Sequence, residues 1–288
     1  MSDYIQVPAY DLIPESNREA LDRALRVFQG PLELGCTLAG GFVRALYRGD
    51  SLPDYFAQTK DGLPGDIDVF LPPGLKPSDV HDEFPTPKGK LERSHAGFGW
   101  NFVLYPRRTS IIDEHSIRVQ LIDYPEFCSK DPVSVVDRFD FTNVTIAISV
   151  VSGTPILTVH RDWKGLEDSR TLGIRNVTSP FLGKRIVKYL RRKGLVGVSS
   201  DSAPRITEWL ARCAKDGNFV LDGRSFDILA KEGVMSLFAN GFAPKEDIIM
   251  FLGRWEVVVS DRKMGDYTGF HSNESVDWAL NQMQGSNP

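Results

Sequence analysis

Apolar and polar positions switch period several times along the chain, and the switches mark its elements. Asp66-Ile67-Asp68-Val69-Phe70-Leu71 alternates and then runs apolar, which predicts a strand with Asp66 and Asp68 on one face and Ile67 and Val69 on the other. A short apolar run from Leu34 to Leu38 predicts another strand; Gly40-Gly41 follows, then a helix-like Phe42 to Tyr47. Upstream, residues 1–14 are expected to be an irregular lead-in. Pro14-Glu15-Ser16-Asn17 opens a helix bearing Leu21, Leu25, Val27 and Phe28, which Gly30-Pro31 is expected to end. Asp50 to Gly65 is loop-like, punctuated by Pro53, Gly62, Pro64 and Gly65. Pro72-Pro73-Gly74 closes the acidic strand, and a short helix is expected near Ser78 to Glu83. Strands are expected over 98–105 and 117–123. Asp131 precedes Pro132 as an N-cap for a short helix that leads into a strand over 143–151.

Past Ser179-Pro180 the periods become helical. The helix over 181–193 carries Phe181, Ile186, Val187 and Leu190 on one face and stops at Gly194. Ala203 to Lys215 is a second helix with core residues Ile206, Trp209, Leu210 and Cys213, and shorter helices are expected over 226–229, 234–238, 246–252 and 273–283. Residues 284–288 are expected to be disordered. The expected fold is α+β, a head on a small mixed sheet spanning 1–178, followed by a helical part spanning 179–288.

Composition narrows the class. The 288 residues are 41% apolar and 25% charged, an ordinary globular mixture that supports one large or two moderate domains. A net charge of −4 argues against a surface coated with basic residues, though not against a local basic patch. No apolar run approaches a membrane span, and Met1 to Tyr10 lacks the order of a signal peptide, so a cytoplasmic protein without membrane contact is expected. The three cysteines, 36, 128 and 213, are scattered, which fits a reduced compartment better than disulfides or a zinc site.

Two parallel carboxylates with no Lys or Arg between them repel unless a cation joins them. Their oxygens suit Mg²⁺ (or Mn²⁺), an ion held by one or two carboxylates together with substrate phosphates. Gly40-Gly41 at a helix start brings backbone N–H groups close to an anion. A phosphate cradle beside a metal pair is what nucleotidyl transfer requires.

In this order, Leu38-Ala39-Gly40-Gly41-Phe42-Val43-Arg44 followed by Asp66-Ile67-Asp68 resembles the signature of the polymerase-β-like nucleotidyltransferase superfamily. The glycine segment is most similar to the branch holding CCA-adding enzymes and bacterial poly(A) polymerases. The resemblance covers about residues 34–193, with strong matches at two or three short motifs. It implies a mixed-sheet head, a helical neck and body, and transfer of a nucleoside monophosphate from a nucleoside triphosphate to an RNA or tRNA hydroxyl. It also implies Mg²⁺ on Asp66 and Asp68, a third carboxylate from Asp123 or Asp140, and Gly40, Gly41 and Arg44 around the triphosphate. Asp140-Phe141-Thr142 matches the family segment at the ribose, with Asp140 either a ribose acceptor or the third carboxylate. Arg138 lies one position early because Phe139 stands where the family has its second Arg.

The helix at 184–193 is basic in an acidic chain. Lys184, Lys188 and Arg191 share a side, with Arg185, Arg192 and Lys193 beside them. It either grips triphosphate or an RNA backbone, or covers a core as a solvated face. The resemblance favours the former, with Lys184, Arg185 and Lys188 towards the nucleotide; Arg170 or Arg175 faces phosphates or solvent. Three departures are plain. The stretch from the glycines to the acidic pair is longer than usual, Ala45 replaces an Asp, and the base-selecting Glu-Asp-x-x-Arg is absent, since Asp201 to Arg205 has the wrong spacing and a Pro. CCA specificity therefore does not carry over. The departures leave room for a viral (phage) member, for a toxin or defence enzyme modifying tRNA or protein, and for a non-catalytic nucleotide- or RNA-binding protein. His160-Arg161-Asp162 resembles a kinase catalytic loop only in passing, because no Gly-rich strand precedes it and no Asp-Phe-Gly follows.

Overall fold

The computed structural model describes residues 2–57, 65–94, 99–105, 116–192, 195–216, 220–221 and 224–225, with Gly233 and Leu237. The chain divides into two units, Met1–Lys164 and Gly165–Pro288, each taken here by itself. The first begins with β1 (Tyr4–Pro8), α1 (Ala9–Leu12), α2 (Glu15–Val27), α3 (Gln29–Glu33), β2 (Thr37–Ala39), α4 (Gly41–Arg48) and α5 (Leu52–Phe56). It continues with β3 (Asp66–Phe70), α6 (Pro77–Asp82), β4 (Glu92–Arg93), β5 (Trp100–Leu104), β6 (Ile117–Ile122) and α7 (Pro132–Val136). After a 3-10 turn, β7 (Ile146–Val151) and β8 (Thr154–His160) complete it, and α8 (Trp163–Asp168) leads out of it.

Eight strands form one sheet in the order β1-β8-β7-β2-β3-β6-β5-β4. Every neighbouring pair is antiparallel except β3 and β6, which run parallel, so the sheet is mixed. Its two faces differ. Leu38, Ile67, Val69, Val119, Leu121, Ile148 and Leu157 point to one side, where residues of α2 to α6 close the main core over them. The opposite face carries Thr37, Ala39, Asp66, Asp68, Arg118, Gln120, Ala147, Ser149 and Thr158. Among the described residues, apolar side chains cover part of that face, where Val135 and Val136 of α7 join Phe70, Ala39 and Ala147 in a smaller cluster.

The lead-in is a correction. Residues 4–8 form β1, paired with β8 from Tyr4↔His160 to Pro8↔Ile156. Arg161 helps hold it there: its N–H donates to the Asp3 carbonyl (2.9 Å) and its Nε to that of Ser2 (2.7 Å). Gly30-Pro31 likewise does not end helical structure. Both lie in α3, where Pro31 sits in the first turn and needs no donor. The cap at Asp131 forms as its spacing predicts, the carboxylate accepting from Val133 N–H (3.1 Å) and Ser134 N–H (3.2 Å).

The second unit holds β9 (Thr171–Leu172), α9 (Leu182–Arg192), β10 (Gly197–Val198), α10 (Ala203–Asp216) and a small ladder of β11 (Val220–Leu221) with β12 (Arg224–Ser225). Strands β9 and β10 pair in parallel. Ile206, Trp209 and Leu210 of α10 are buried as their spacing implies, and the Trp209 indole N–H donates to the Ser179 carbonyl (3.0 Å). Pro204 does not break that helix, because it occupies the first turn. The helices expected over 226–229, 246–252 and 273–283 lie outside the described residues, as does the one over 234–238 except for Leu237. Among the described residues no helix is long and apolar enough to cross a membrane.

Candidate active site

Period-2 geometry makes β3 the centre of the open face. Asp66 and Asp68 leave the sheet together, half-buried, while Ile67 and Val69 are fully buried behind them. Across the ladders Ala39 lies opposite Asp68 on one side, and Arg118 and Gln120 lie opposite Asp66 and Asp68 on the other. Next along stands Asn101, paired with Gln120.

Strand β2 delivers α4 to this face. Gly40 has φ 82° and ψ −140°, in a region that side chains strongly disfavour. A Cβ there would lie 3.4 Å from Asp68 Oδ2 and 3.9 Å from the Phe139 ring. The Gly40 N–H is already committed to the Ile146 carbonyl (3.1 Å), so it cannot cradle a phosphate, and that part of the sequence reading is corrected. The donors that remain are the first-turn amides of α4, those of Gly41, Phe42 and Val43, which have no intrahelical acceptor. Gly40, at the N-cap, offers no side chain to cap this end. Gly40 contributes a backbone turn and an empty space beside Asp68.

Tyr55, in the long interval between the motifs, ties the two halves together. Its hydroxyl donates to the Asp66 carbonyl (2.9 Å), and its ring packs near Phe42 and Phe56, with centroids 6.3 Å and 5.0 Å away. Cβ atoms on Gly41 and Gly65 would meet Tyr55 at 2.9 Å and 2.4 Å, so glycine lets the ring lie against both segments. Sequence reading treated this interval as an insertion; the only signal for Tyr55 was an aromatic residue inside it.

On the other side, Phe139 joins Phe70 and Phe127 in a ring cluster, with centroid distances of 5.4 Å and 6.1 Å to Phe139. This accounts for a Phe at that position: the ring fills an apolar corner beside Gly40. Asp140 follows it and is buried, whereas Arg138 is exposed. Ala45 is buried in the core of the first unit, where its carbonyl accepts from the Asn17 amide (3.3 Å).

Arg44 is buried, at 4% exposure. Asp123 falls three residues beyond Gln120, about 10 Å along β6 from the row of Asp68. There its Oδ2 accepts from Trp100 Nε1 (2.9 Å) and pairs with Arg93 (3.5 Å), so the structure does not bring it to the acidic pair. Lys184, Arg185 and Lys188 belong to the second unit. Arg185 and Lys188 are exposed, Lys184 is half-buried, and the Arg185 guanidinium lies 5.8 Å from the Phe181 ring centroid. Arg170 and Arg175 are also in that unit, Arg170 with φ 54° at the end of α8.

The donors on β3 fit a hard divalent cation: two carboxylates on one face, partly open to water, with the missing Gly40 side chain leaving room beside Asp68. Among the described residues no group of three or more His, Cys, Asp or Glu side chains gathers as a ligand set.

No protein-family profile matches the chain, and no curated protein matches it. Solved structures do. A CCA-adding enzyme with CTP superposes with a TM-score of 0.52 at 14% identity, over 99% of this chain and 71% of that one. At that identity the likeness concerns the fold alone: the chain is similar in fold to that CCA-adding enzyme. A Thermotoga maritima CCA-adding enzyme complexed with tRNA (TM-score 0.47, 16% identity, 98% and 70% covered) superposes too loosely to carry weight.

Proposed function

We propose that this chain is a metal-dependent nucleotidyltransferase that moves a nucleoside monophosphate from a nucleoside triphosphate to a hydroxyl on RNA, tRNA being the first candidate, with release of pyrophosphate. The observation that carries the reading is the meeting of Asp66, Asp68 and the uncapped start of α4 around Gly40 on the open face of the sheet. The similar structure with CTP supports it through the fold.

In the transfer the acceptor hydroxyl gives up its proton to water, its oxygen bonds to the α-phosphorus, and the bond to pyrophosphate, which leaves with the electron pair, breaks. When bound, Mg²⁺ (or Mn²⁺) would supply Lewis-acid activation of the hydroxyl and would offset charge on the leaving oxygen. Asp66 and Asp68 would hold that ion. The amides of Gly41, Phe42 and Val43 donate to phosphate oxygens, rigid enough to need no rearrangement as charge develops. Gly40 keeps the space beside Asp68 clear. Tyr55 fixes the start of β3 against α4, so carboxylates and amides hold one spacing. Asp140 and Arg138, on either side of Phe139, are assigned to the ribose and the phosphates. Lys184, Arg185 and Lys188 of α9 are assigned to the phosphates of the nucleotide or the RNA backbone, which makes affinity fall with salt.

The test is incubation with each α-labelled nucleoside triphosphate, Mg²⁺ and total RNA, with RNA and protein resolved separately. Label on RNA, lost in the Asp66→Asn, Asp68→Asn double variant whose unfolding profile is retained, is the expected result. Activity surviving in that variant refutes the mechanism. Triphosphate binding with no label transferred favours a non-catalytic nucleotide-binding protein, the reading to which Phe139 and the lack of a third clustered ligand among the described residues lean. Label on protein indicates a toxin-like enzyme.

A further inference from the structure

The residue facing Asp66 across the parallel ladder is Arg118. Paired residues on adjacent strands are about 4.8 Å apart and point to the same side, so the guanidinium rises from the sheet beside the carboxylate pair. Ile117 and Val119 on either side are buried, whereas Arg118 is exposed. Among the described residues no hydrogen bond or ion pair engages its side chain. Together the two carboxylates and the guanidinium carry a formal charge of −1. No third His, Cys, Asp or Glu joins them among the described residues.

These facts bear on how an ion and a nucleotide enter the site. Two carboxylates beside a cation attract a divalent ion less than two carboxylates alone, because the guanidinium repels it. Mg²⁺ also demands a nearly octahedral oxygen shell, of which the pair supplies a minority. A triphosphate changes both terms. Its oxygens extend the shell, and its multiply charged phosphates give Arg118 a partner that the planar guanidinium can engage through two N–H donors at once.

Resting on the function proposed above, we infer that Arg118 couples the two ligands: it holds metal affinity low in the free protein and contacts a phosphate of the triphosphate, so ion and nucleotide bind as one unit. Coupling of this kind is reciprocal, so the ion strengthens nucleotide binding by the same factor.

The test measures Mn²⁺ affinity of the full chain by electron paramagnetic resonance, with and without a triphosphate whose α,β-bridge cannot be cleaved, corrected for ion held by the analogue alone. The wild-type protein is expected to bind Mn²⁺ at least about tenfold more tightly with the analogue. Arg118→Gln is expected to raise the affinity of the free protein by about tenfold, the scale of one charge acting near water. It should also weaken analogue binding, and Arg118→Lys should preserve most of the coupling. Equal Mn²⁺ affinity of the wild type with and without analogue overturns the inference. So does an Arg118→Gln variant unchanged in both affinities while Asp66→Asn abolishes Mn²⁺ binding. If instead Asp66→Asn leaves Mn²⁺ binding intact in the presence of analogue, the carboxylate site itself is misassigned, and the failure belongs to the underlying reading.

Discussion

Replacing Gly40 by Ala tests the site at its narrowest point. The residue sits at φ 82°, ψ −140°, where an L side chain strains the backbone by about 1–3 kcal/mol. The new methyl would stand 3.4 Å from Asp68 Oδ2 and 3.9 Å from Phe139, which is tolerable contact, so nearly all of the cost is conformational. About 2 kcal/mol is expected, which for a domain of this size lowers Tm by roughly 4–8 °C. Gly74→Ala is the reference: its φ is also positive, at 83°, but nothing lies within 4 Å of a Cβ there. Both variants should lose stability in a urea titration at unchanged m. Only Gly40→Ala should also weaken Mn²⁺ binding in the presence of a triphosphate analogue, because its methyl occupies space beside Asp68. A Gly40→Ala protein within about 0.5 kcal/mol of wild type, the spread of ordinary surface substitutions, refutes the backbone argument. Normal stability loss with unaltered Mn²⁺ binding refutes the assignment of that space to the ion.

Two further expectations follow from the geometry. Tyr55→Phe removes one hydrogen bond to the Asp66 carbonyl while keeping the ring, so a stability loss of about 1 kcal/mol is expected. If Tyr55 positions β3 against α4, the variant's kcat for transfer should fall about tenfold at unchanged KM for the nucleotide, the size of one lost alignment contact; a rise in KM alone argues against that role. The Cys36 thiol, fully buried behind the sheet, is pushed up to about 12 by burial. Between its ordinary value and about 12 the folded protein retains a proton that the unfolded chain has lost, so stability should fall as pH rises above about 9, with a slope approaching 1.4 kcal/mol per pH unit. Cys36→Ala should lack that increment in urea titrations from pH 8 to 11; identical slopes in the two proteins refute it.

The acidic strand was legible because Asp-Ile-Asp-Val-Phe repeats with the period of a half-buried strand, and β3 occupies Asp66–Phe70. The cap at Asp131 and the core positions of α10 were legible for the same reason, being local chemistry at fixed spacing. Strand β1 was not. Tyr4–Pro8 lies at the sheet edge, largely exposed apart from Tyr4, and ends in a proline, so nothing in its pattern separates it from a loop until β8 supplies a partner. Arg118 escaped notice for a related reason. Its own strand was predicted, but the register that sets it beside Asp66 is a property of two strands about fifty residues apart. Asp123 attracted attention as a carboxylate closing a strand, and that same register carries it past the site to Trp100 and Arg93. The role read into the Gly40 amide failed because β7, through the Ile146 carbonyl, claims that donor, a contact no motif encodes.

The pairing of β1 with β8 also sets an order of events during synthesis. The first strand made is the one whose partner arrives last, since residues 4–8 must wait for 154–160. At bacterial-to-eukaryotic elongation rates that is an interval of roughly 8–30 s, during which Tyr4 and Ile5 are held by nothing in the sheet. Each other strand finds a neighbour sooner, and β7 and β8 meet through the turn at Ser152-Gly153 as soon as both exist. The growing domain therefore closes like a belt fastened at its final hole, and while it is open, residues 4–8 are the place where a chaperone or a neighbouring nascent chain finds unpaired backbone.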